Sequence, residues 1–262
     1  MQNIRVENLL VIDIETVPCF PVFDDLAEDW KIRWTEKVQR SLPENVTAPE
    51  FYSQRAGVMA EFAKVICISI GYFKKEHAAF QFRIKSFYGD DEKKLLEDFI
   101  STVHQMETGN RSKNDHSTEG LQVHPLGGGG GRWNFCGHNI KEFDIPFICR
   151  RLLINGLPIP TYLDFQNMKP WETNIVDTFQ YWRFGDYKNY TSLKLLAAAL
   201  GVPSPKDDID GSMVADVYWK EKNLQRIVTY CQKDVVTTAN IILRFKNMSL
   251  LVEEQIVIVN AE

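Results

Sequence analysis

Near the start of the 262-residue chain, a short apolar run at residues 9–14 is broken by a carboxylate at Asp13 and followed by a second at Glu15. Short, bounded and rich in β-branched residues, the run reads as a buried strand. Strand side chains alternate with a period of two, so Asp13 and Glu15 share one face while Ile14 points the other way, into the core. Two anions side by side on an apolar strand repel and are costly to desolvate unless a cation lies between them. Any fold of this chain must therefore offer that face water or a positive partner. A solvated strand edge or a salt bridge meets the requirement as well as a hard divalent ion such as Mg²⁺ or Mn²⁺, which suits oxygen-only ligands.

The rest of the pattern alternates strands and helices. Residues 24–63 read as largely helical, with a proline-containing break at 42–49. Two strands, 65–73 and 78–88, are joined through KKEH as a hairpin, and the second alternates Phe80, Phe82 and Ile84 against Gln81, Arg83 and Lys85. An amphipathic helix follows at 90–106. Residues 109–131 carry seven glycines and the composition of a flexible insertion. Their five consecutive glycines lead into Arg132–Trp133 rather than the Lys-Ser/Thr of a phosphate loop.

Beyond it the pattern gives a strand at 133–136, a helix at 143–155, a strand at 174–179 and a short helix at 192–200 ended by Gly201. Helices at 213–219 and 223–246 complete it, and the apolar tail 250–260 adds a helical turn or a strand. A meander followed by strand–helix alternation predicts an α/β fold, a mixed five-stranded sheet flanked by helices. There is no internal repeat, and a single domain spanning 1–262 is expected, with insertions at 24–63 and 109–131.

Composition narrows the function. At 44% hydrophobic and 25% charged residues the chain is ordinary for a globular protein. Its formal charge of −5 argues against non-specific coating of nucleic acid, yet leaves room for an enzyme whose bound cations face the phosphate. The five cysteines form no CxxC pair, and cysteines and histidines show no zinc spacing. No apolar run is long enough to span a membrane and no secretory signal opens the chain, so a cytoplasmic location away from membranes is expected. GxSxG, HExxH and a complete phosphate loop are all missing, which removes the support for a small-molecule hydrolase.

Two further segments carry acids. Asp144 lies in GHNIKEFDIPFICRR, where a polar segment gives way to an apolar helix. Helix capping is an equal reading there; Phe143 reads equally as core and Asn139 as a turn residue. Tyr230 and Asp234 in TYCQKDVVTTANI are four apart on a helix, hence on one face a turn apart, although a tyrosine at a core edge is common.

Taken together, D-x-E on the first strand, N-x3-F-D at a helix start and Y-x3-D on a late helix resemble the DEDD superfamily of 3′→5′ exonucleases. The likeness is to the subgroup whose last motif carries tyrosine, and in particular to the proofreading exonuclease domain of B-family DNA polymerases in stand-alone form. FDIPFICRR, NIVDTF, SLKLLAAALG, DIDGS and YCQKDV support it, over nearly the whole chain from Val11 to about Leu243. In the other subgroup a histidine stands five residues before the final aspartate; that position here is Thr229.

The resemblance implies a ribonuclease H-like fold in which Asp13, Glu15, Asp144 and Asp234 hold two divalent ions, Mg²⁺ or Mn²⁺. It also implies that Tyr230 orients the attacking water, that Thr16, Asn139 and Phe143 contact the terminal nucleotide, and that nucleoside 5′-monophosphates are released. The implied substrate is the 3′ end of single-stranded DNA or RNA, with DNA favoured and DNA repair as a setting. Replication or repair proteins are the implied partners, because no polymerase domain fits in the same chain. A structure-specific endonuclease on this fold, and a non-catalytic nucleic-acid-binding or polymerase accessory subunit, are the alternatives. Asp177 reads as a supporting or a structural acid, outside the catalytic set.

Overall fold

The computed structural model describes residues 4–76, 79–108, 133–166, 168–169, 172–203 and 209–259. The glycine-rich insertion expected at 109–131 lies outside the described residues, as does Asp208 of the DIDGS segment.

The first strand, β1 (Leu9–Pro18), is the middle of the sheet. It pairs antiparallel with β2 (Ala63–Glu76), which pairs antiparallel with β3 (Ala79–Tyr88). On its other side β1 pairs parallel with β4 (Asn134–Gly137), and β4 with β5 (Ile175–Asp177). A last strand, β6 (Ile256–Ile258), runs parallel to β3, so the order is β5-β4-β1-β2-β3-β6. Among the described residues the sheet thus has six strands where five were expected. The sixth comes from the apolar tail, which makes both a 3-10 turn (Glu253–Gln255) and a strand. A mixed sheet flanked by helices is the arrangement expected of a ribonuclease H-like fold.

Alternation along β1 decides which helices cover which face. Leu10, Ile12 and Ile14 pack with Leu95, Leu96 and Phe99 of α3 (Glu92–Thr108) and with Ile145, Phe147 and Ile148 of α4 (Asp144–Ile154). Leu9 and Val11 face the opposite way, onto Val235, Ala239 and Ile242 of α8 (Leu224–Phe245). Each of these fully buried aliphatic side chains contributes about 2 kcal/mol by leaving water. Gly71 on β2 lets α8 come close, since a Cβ there would stand 2.7 Å from Val235 Cγ1.

The segment between β1 and β2 holds α1 (Glu28–Val38) and α2 (Ala48–Arg55), with the expected break between them. A capping box between Thr47 and Glu50 starts α2. The pair has an apolar cluster of its own around Trp34, which is fully buried against Phe51, Tyr52 and Phe62. A buried ion pair ties this segment to the rest. Arg151 of α4 donates to both carboxylate oxygens of Glu92 and to the carbonyl oxygen of Ala60, while Glu92 also accepts from Val65 N–H and Asn155 Nδ2.

One expected element is corrected. The strand expected over 174–179 stops at Asp177, and a helix, α5 (Thr178–Arg183), begins at once. The Asp177 carboxylate accepts from Phe179 N–H and Gln180 N–H, so it caps that helix and ends the strand. Two short helices follow, α6 (Leu193–Ala199) and α7 (Val214–Trp219). No helix among the described residues is long and apolar enough to cross a membrane.

Candidate active site

Asp13 and Glu15 lie on the α8 face of β1, opposite Ser69 and Cys67 of β2. The pairing of β1 with β2 shifts register between Glu15 and Thr16, a bulge directly after the two acids. Such an irregularity re-aims the strand, and Thr16 then turns its hydroxyl to the carbonyl oxygen of Gly57, 2.6 Å away. The side chain of Thr16, expected to meet the terminal nucleotide, is therefore engaged with the α1–α2 segment.

Helix α8 delivers the second group. Asn223 caps its start by accepting from Arg226 N–H. Ile227, Cys231 and Val235 form the buried stripe, and the Cys231 thiol reaches the carbonyl oxygen of Asp13 at 3.4 Å. Docked in this way, the helix brings Tyr230 and Asp234 to the two acids. The Tyr230 hydroxyl hydrogen-bonds Asp234, and the charges of Asp234, Glu15 and Asp13 all act on it. Burial first, and then those anions, push its phenol far above the usual tyrosine range, so it is a neutral donor.

The third group arrives from the end of β4. Gly137 passes so close to β1 that a Cβ would lie 3.0 Å from the Ile12 carbonyl oxygen and 2.7 Å from Ile140 Cβ. The loop then turns at Asn139, whose φ of 61° is a left-handed conformation that asparagine tolerates better than most residues. Asp177 holds this loop in place. Besides capping α5, its carboxylate accepts from Asn139 N–H and Lys141 N–H, both at 3.1 Å. Phe143 takes the cap position of α4 with its ring 5.4 Å from that of Phe147, and it makes no side-chain capping bond. Asp144 is the first residue inside the helix, so it does not act as the cap. Its carboxylate accepts instead from Ile14 N–H, between the two acids of β1, and from its own N–H.

The charges of four carboxylates thus act on one another around one stretch of β1, although no three of the four have ligand atoms within 4.8 Å of one another. Burial raises Asp13 well above the carboxylate range, and Asp234 and Asp144 raise it further. Glu15 is raised by burial and then by Asp13 and Asp234. Asp144 is pushed up to about 7, mainly by burial, against the lowering effect of its two backbone bonds. No lysine, arginine or histidine figures among the groups that set these three shifts. Asp13 Oδ2 is buried without a hydrogen-bond partner. An orphaned, buried carboxylate oxygen among three further acids fits a hard divalent cation, which would remove both the repulsion and the unmet oxygen.

Asp13, Glu15 and Cys231 offer ligand atoms within 4.8 Å of one another. The thiol is the weaker candidate. It already donates to Asp13 O, and burial together with a bond to Cys67 holds it protonated. Sulfur is also a poor match for Mg²⁺ or Mn²⁺.

Sequence reasoning left Asp177 outside the catalytic set, without a position in the fold, and overlooked Tyr190. Asp177 could have been found as an acid directly before a helix start. Tyr190 carries no local signal, yet burial and then the charges of Asp144 and Asp177 raise its phenol. His138 is structural, since Nε2 lies 2.8 Å from Thr191 O and Nδ1 2.9 Å from Thr178 Oγ1. A cavity of about 770 Å³ on the far side of α4 is lined by Lys141, Ile145, Leu163, Phe165, Arg183 and Tyr187 and holds none of the four acids.

No curated protein matches the chain. Residues 131–259 match the model of a family described as a predicted 3′-5′ exonuclease related to the exonuclease domain of PolB. The match includes Asp144, Tyr230 and Asp234, while Asp13 and Glu15 precede it. Through residues 131–259 the chain is thus similar to predicted 3′-5′ exonucleases related to the exonuclease domain of PolB.

Proposed function

We propose that this chain is a metal-dependent 3′→5′ exonuclease that hydrolyses single-stranded nucleic acid, DNA in preference to RNA, to nucleoside 5′-monophosphates. The observation that carries the reading is the orphaned, buried Asp13 oxygen, on which the charges of Asp234 and Asp144 act. Asp13, Glu15, Asp144 and Asp234 would hold two divalent ions, Mg²⁺ or Mn²⁺. When bound, such ions acidify a water and neutralise charge on the leaving 3′ oxygen.

The chain's own groups account for the rest. Tyr230 is bonded to Asp234 and kept neutral, so its hydroxyl orients the attacking water rather than removing a proton from it. Half-buried Phe143, packed against the main core, and Asn139, with a buried Oδ1 that lacks a partner, are the groups offered to the terminal nucleotide. For Thr16, whose hydroxyl is engaged with Gly57, the main chain beside the bulge is the part left to bind. The 262 residues are read as one exonuclease domain.

Digestion of 3′-labelled DNA and RNA oligonucleotides in Mg²⁺ or Mn²⁺, with chelator and Asp13→Ala controls, tests the proposal. Stepwise release of 5′-monophosphates, abolished by both controls, is the expected result. Cleavage of circular single strands points instead to an endonuclease. No product with either ion points to an accessory subunit.

A further inference from the structure

The loop that follows α5 exposes three aromatic rings within seven residues. Phe184 is 81% exposed, Tyr187 78% and Tyr190 64%. Single exposed aromatics are ordinary on a protein surface, but a run of three is a patch that asks for an occupant.

The backbone presents these rings by a strained route. Phe184 ends α5 in a left-handed conformation, φ 45° and ψ 34°, although a glycine able to adopt it freely stands next in the chain. For a bulky residue this conformation costs about 1–2 kcal/mol, and here it turns an apolar ring outward instead of burying it.

The loop is also held firmly. Asp186 N–H donates to Arg183 O at 2.8 Å, and the Asp186 carboxylate accepts from Lys188 N–H and Asn189 Nδ2. Its far end is fixed where His138 Nε2 meets Thr191 O. Charge accompanies the rings. The Arg183 guanidinium lies 4.3 Å from the Phe179 ring and 5.1 Å from the Tyr187 ring, and Lys188 is exposed. The loop also reaches the segment that leads to Asp144: Arg183 Nη1 lies 3.3 Å from Glu142 Oε1, and the Tyr190 ring lies 6.4 Å from that of His138.

We propose that residues 184–190 form a stacking wall for the unpaired bases of a single strand whose 3′ end lies at the four acids. The inference rests on the nuclease reading and adds how the strand behind the terminal nucleotide is gripped. Flat aromatic faces interleaved with cations suit single-stranded nucleic acid, because every base offers a π-face whatever its sequence, while Lys188 meets the phosphates and Arg183, paired with Glu142, braces the Tyr187 ring. A chain of net charge −5 cannot rely on overall attraction for this grip.

The test is fluorescence anisotropy of a labelled single-stranded DNA oligonucleotide titrated with the full chain in chelator, so that neither metal nor hydrolysis enters the readout. Phe184→Ala/Tyr187→Ala should bind at least about tenfold more weakly than wild type, through loss of two stacked bases. Phe184→Tyr/Tyr187→Phe, which keeps both rings, should bind within about twofold of wild type. Blunt duplex of the same length, with its bases already stacked, should separate the variants from wild type far less. Thermal melting of each variant should match wild type, because both rings are solvent-facing. Absence of single-strand binding by wild type, or equal binding by wild type and the alanine double variant, overturns the wall and leaves the patch to a protein partner. Metal-dependent hydrolysis is measured separately, so the wall can fail while the nuclease reading stands, and the nuclease reading can fail while the wall stands.

Discussion

The Cys231 thiol reaches the carbonyl oxygen of Asp13 at 3.4 Å, tying the last long helix to the first strand at the acid on which the site is centred. Cys67 and Val228 complete a small buried cluster with Cys231 beneath that contact. The cluster sets how deeply α8 seats, and hence where Tyr230 and Asp234 arrive. Since the thiol acts here as packing and as a weak donor, Cys231→Ala should retain metal-dependent cleavage within about fivefold, with a stability loss of about 1–2 kcal/mol. A loss of activity as deep as that of an acid variant, measured on 3′-labelled oligonucleotides, would place the sulfur among the ligands.

The four acids should separate activity from stability. Asp13→Asn removes one of several mutually repelling buried charges, so the metal-free variant should melt at or above the wild-type temperature. Cleavage in Mg²⁺ or Mn²⁺ should fall on the order of a thousandfold or more, because charge neutralisation at the phosphate is worth several kcal/mol. Asp234→Ala should behave alike. Paired melting and nuclease assays read both effects, and a fully active variant at either position ends the assignment.

Tyr230→Phe deletes one hydroxyl bonded to Asp234 and leaves a ring buried against Val17, Ile66 and Ile227. The fold should tolerate it. Turnover should drop by about 10–100-fold with little change in KM, the pattern of a group that matters more at the transition state than in binding. An unchanged kcat removes the hydroxyl from the mechanism.

How far the site could be read in advance depended on whether its signals were periodic. Alternation put Asp13 and Glu15 on one strand face and i, i+4 spacing put Tyr230 and Asp234 on one helix face, but only the resemblance to the DEDD exonucleases joined these pairs and Asp144 into one site. Element order and the hairpin followed from the same periodicities. The bulge after Glu15 was not legible, since register depends on the partner strand. The six-stranded count was missed because Ile256–Ile258 pairs only once β3 offers an edge, a tertiary fact with a three-residue signal. Tyr190 and the exposed Phe184 and Tyr187 form a surface only when the loop is folded, and nothing in YWRFGDYKNY sets them apart from core aromatics.

Asp177 links the loop carrying Asn139 to the start of α5 through four backbone N–H groups. Asp177→Ala leaves buried donors unpaired and should cost about 3 kcal/mol, lowering the melting temperature by roughly 6–10 °C. The loop before Asp144 then shifts, so activity should fall even at temperatures where the variant is folded. Asp177→Asn keeps an acceptor oxygen and should recover part of both. Calorimetry and cleavage at a low common temperature measure the two effects, and an alanine variant with unaltered melting would show that the clamp does not bear on the loop.

His138 gives the fold a pH dependence of definite sign. Burial lowers its pKa from the ordinary 6.5, outweighing the bond to Thr191 and the charge of Asp177, both of which favour the proton. The neutral ring donates from Nε2 to Thr191 O and accepts at Nδ1 from the Thr178 hydroxyl. Above pH 6.5 the ring is neutral folded or unfolded, so its contribution to stability is fully present. As pH falls through 6.5 toward the depressed folded value, the unfolded chain takes up the proton more readily and stability declines, levelling off below that value. His138→Gln keeps a donor toward Thr191 without a titrating ring. Its unfolding free energy should therefore be flatter than wild type as pH is lowered from neutrality through this window. Chemical unfolding of the two chains in parallel compares the slopes, and parallel lines would mean that His138 is not the group responsible.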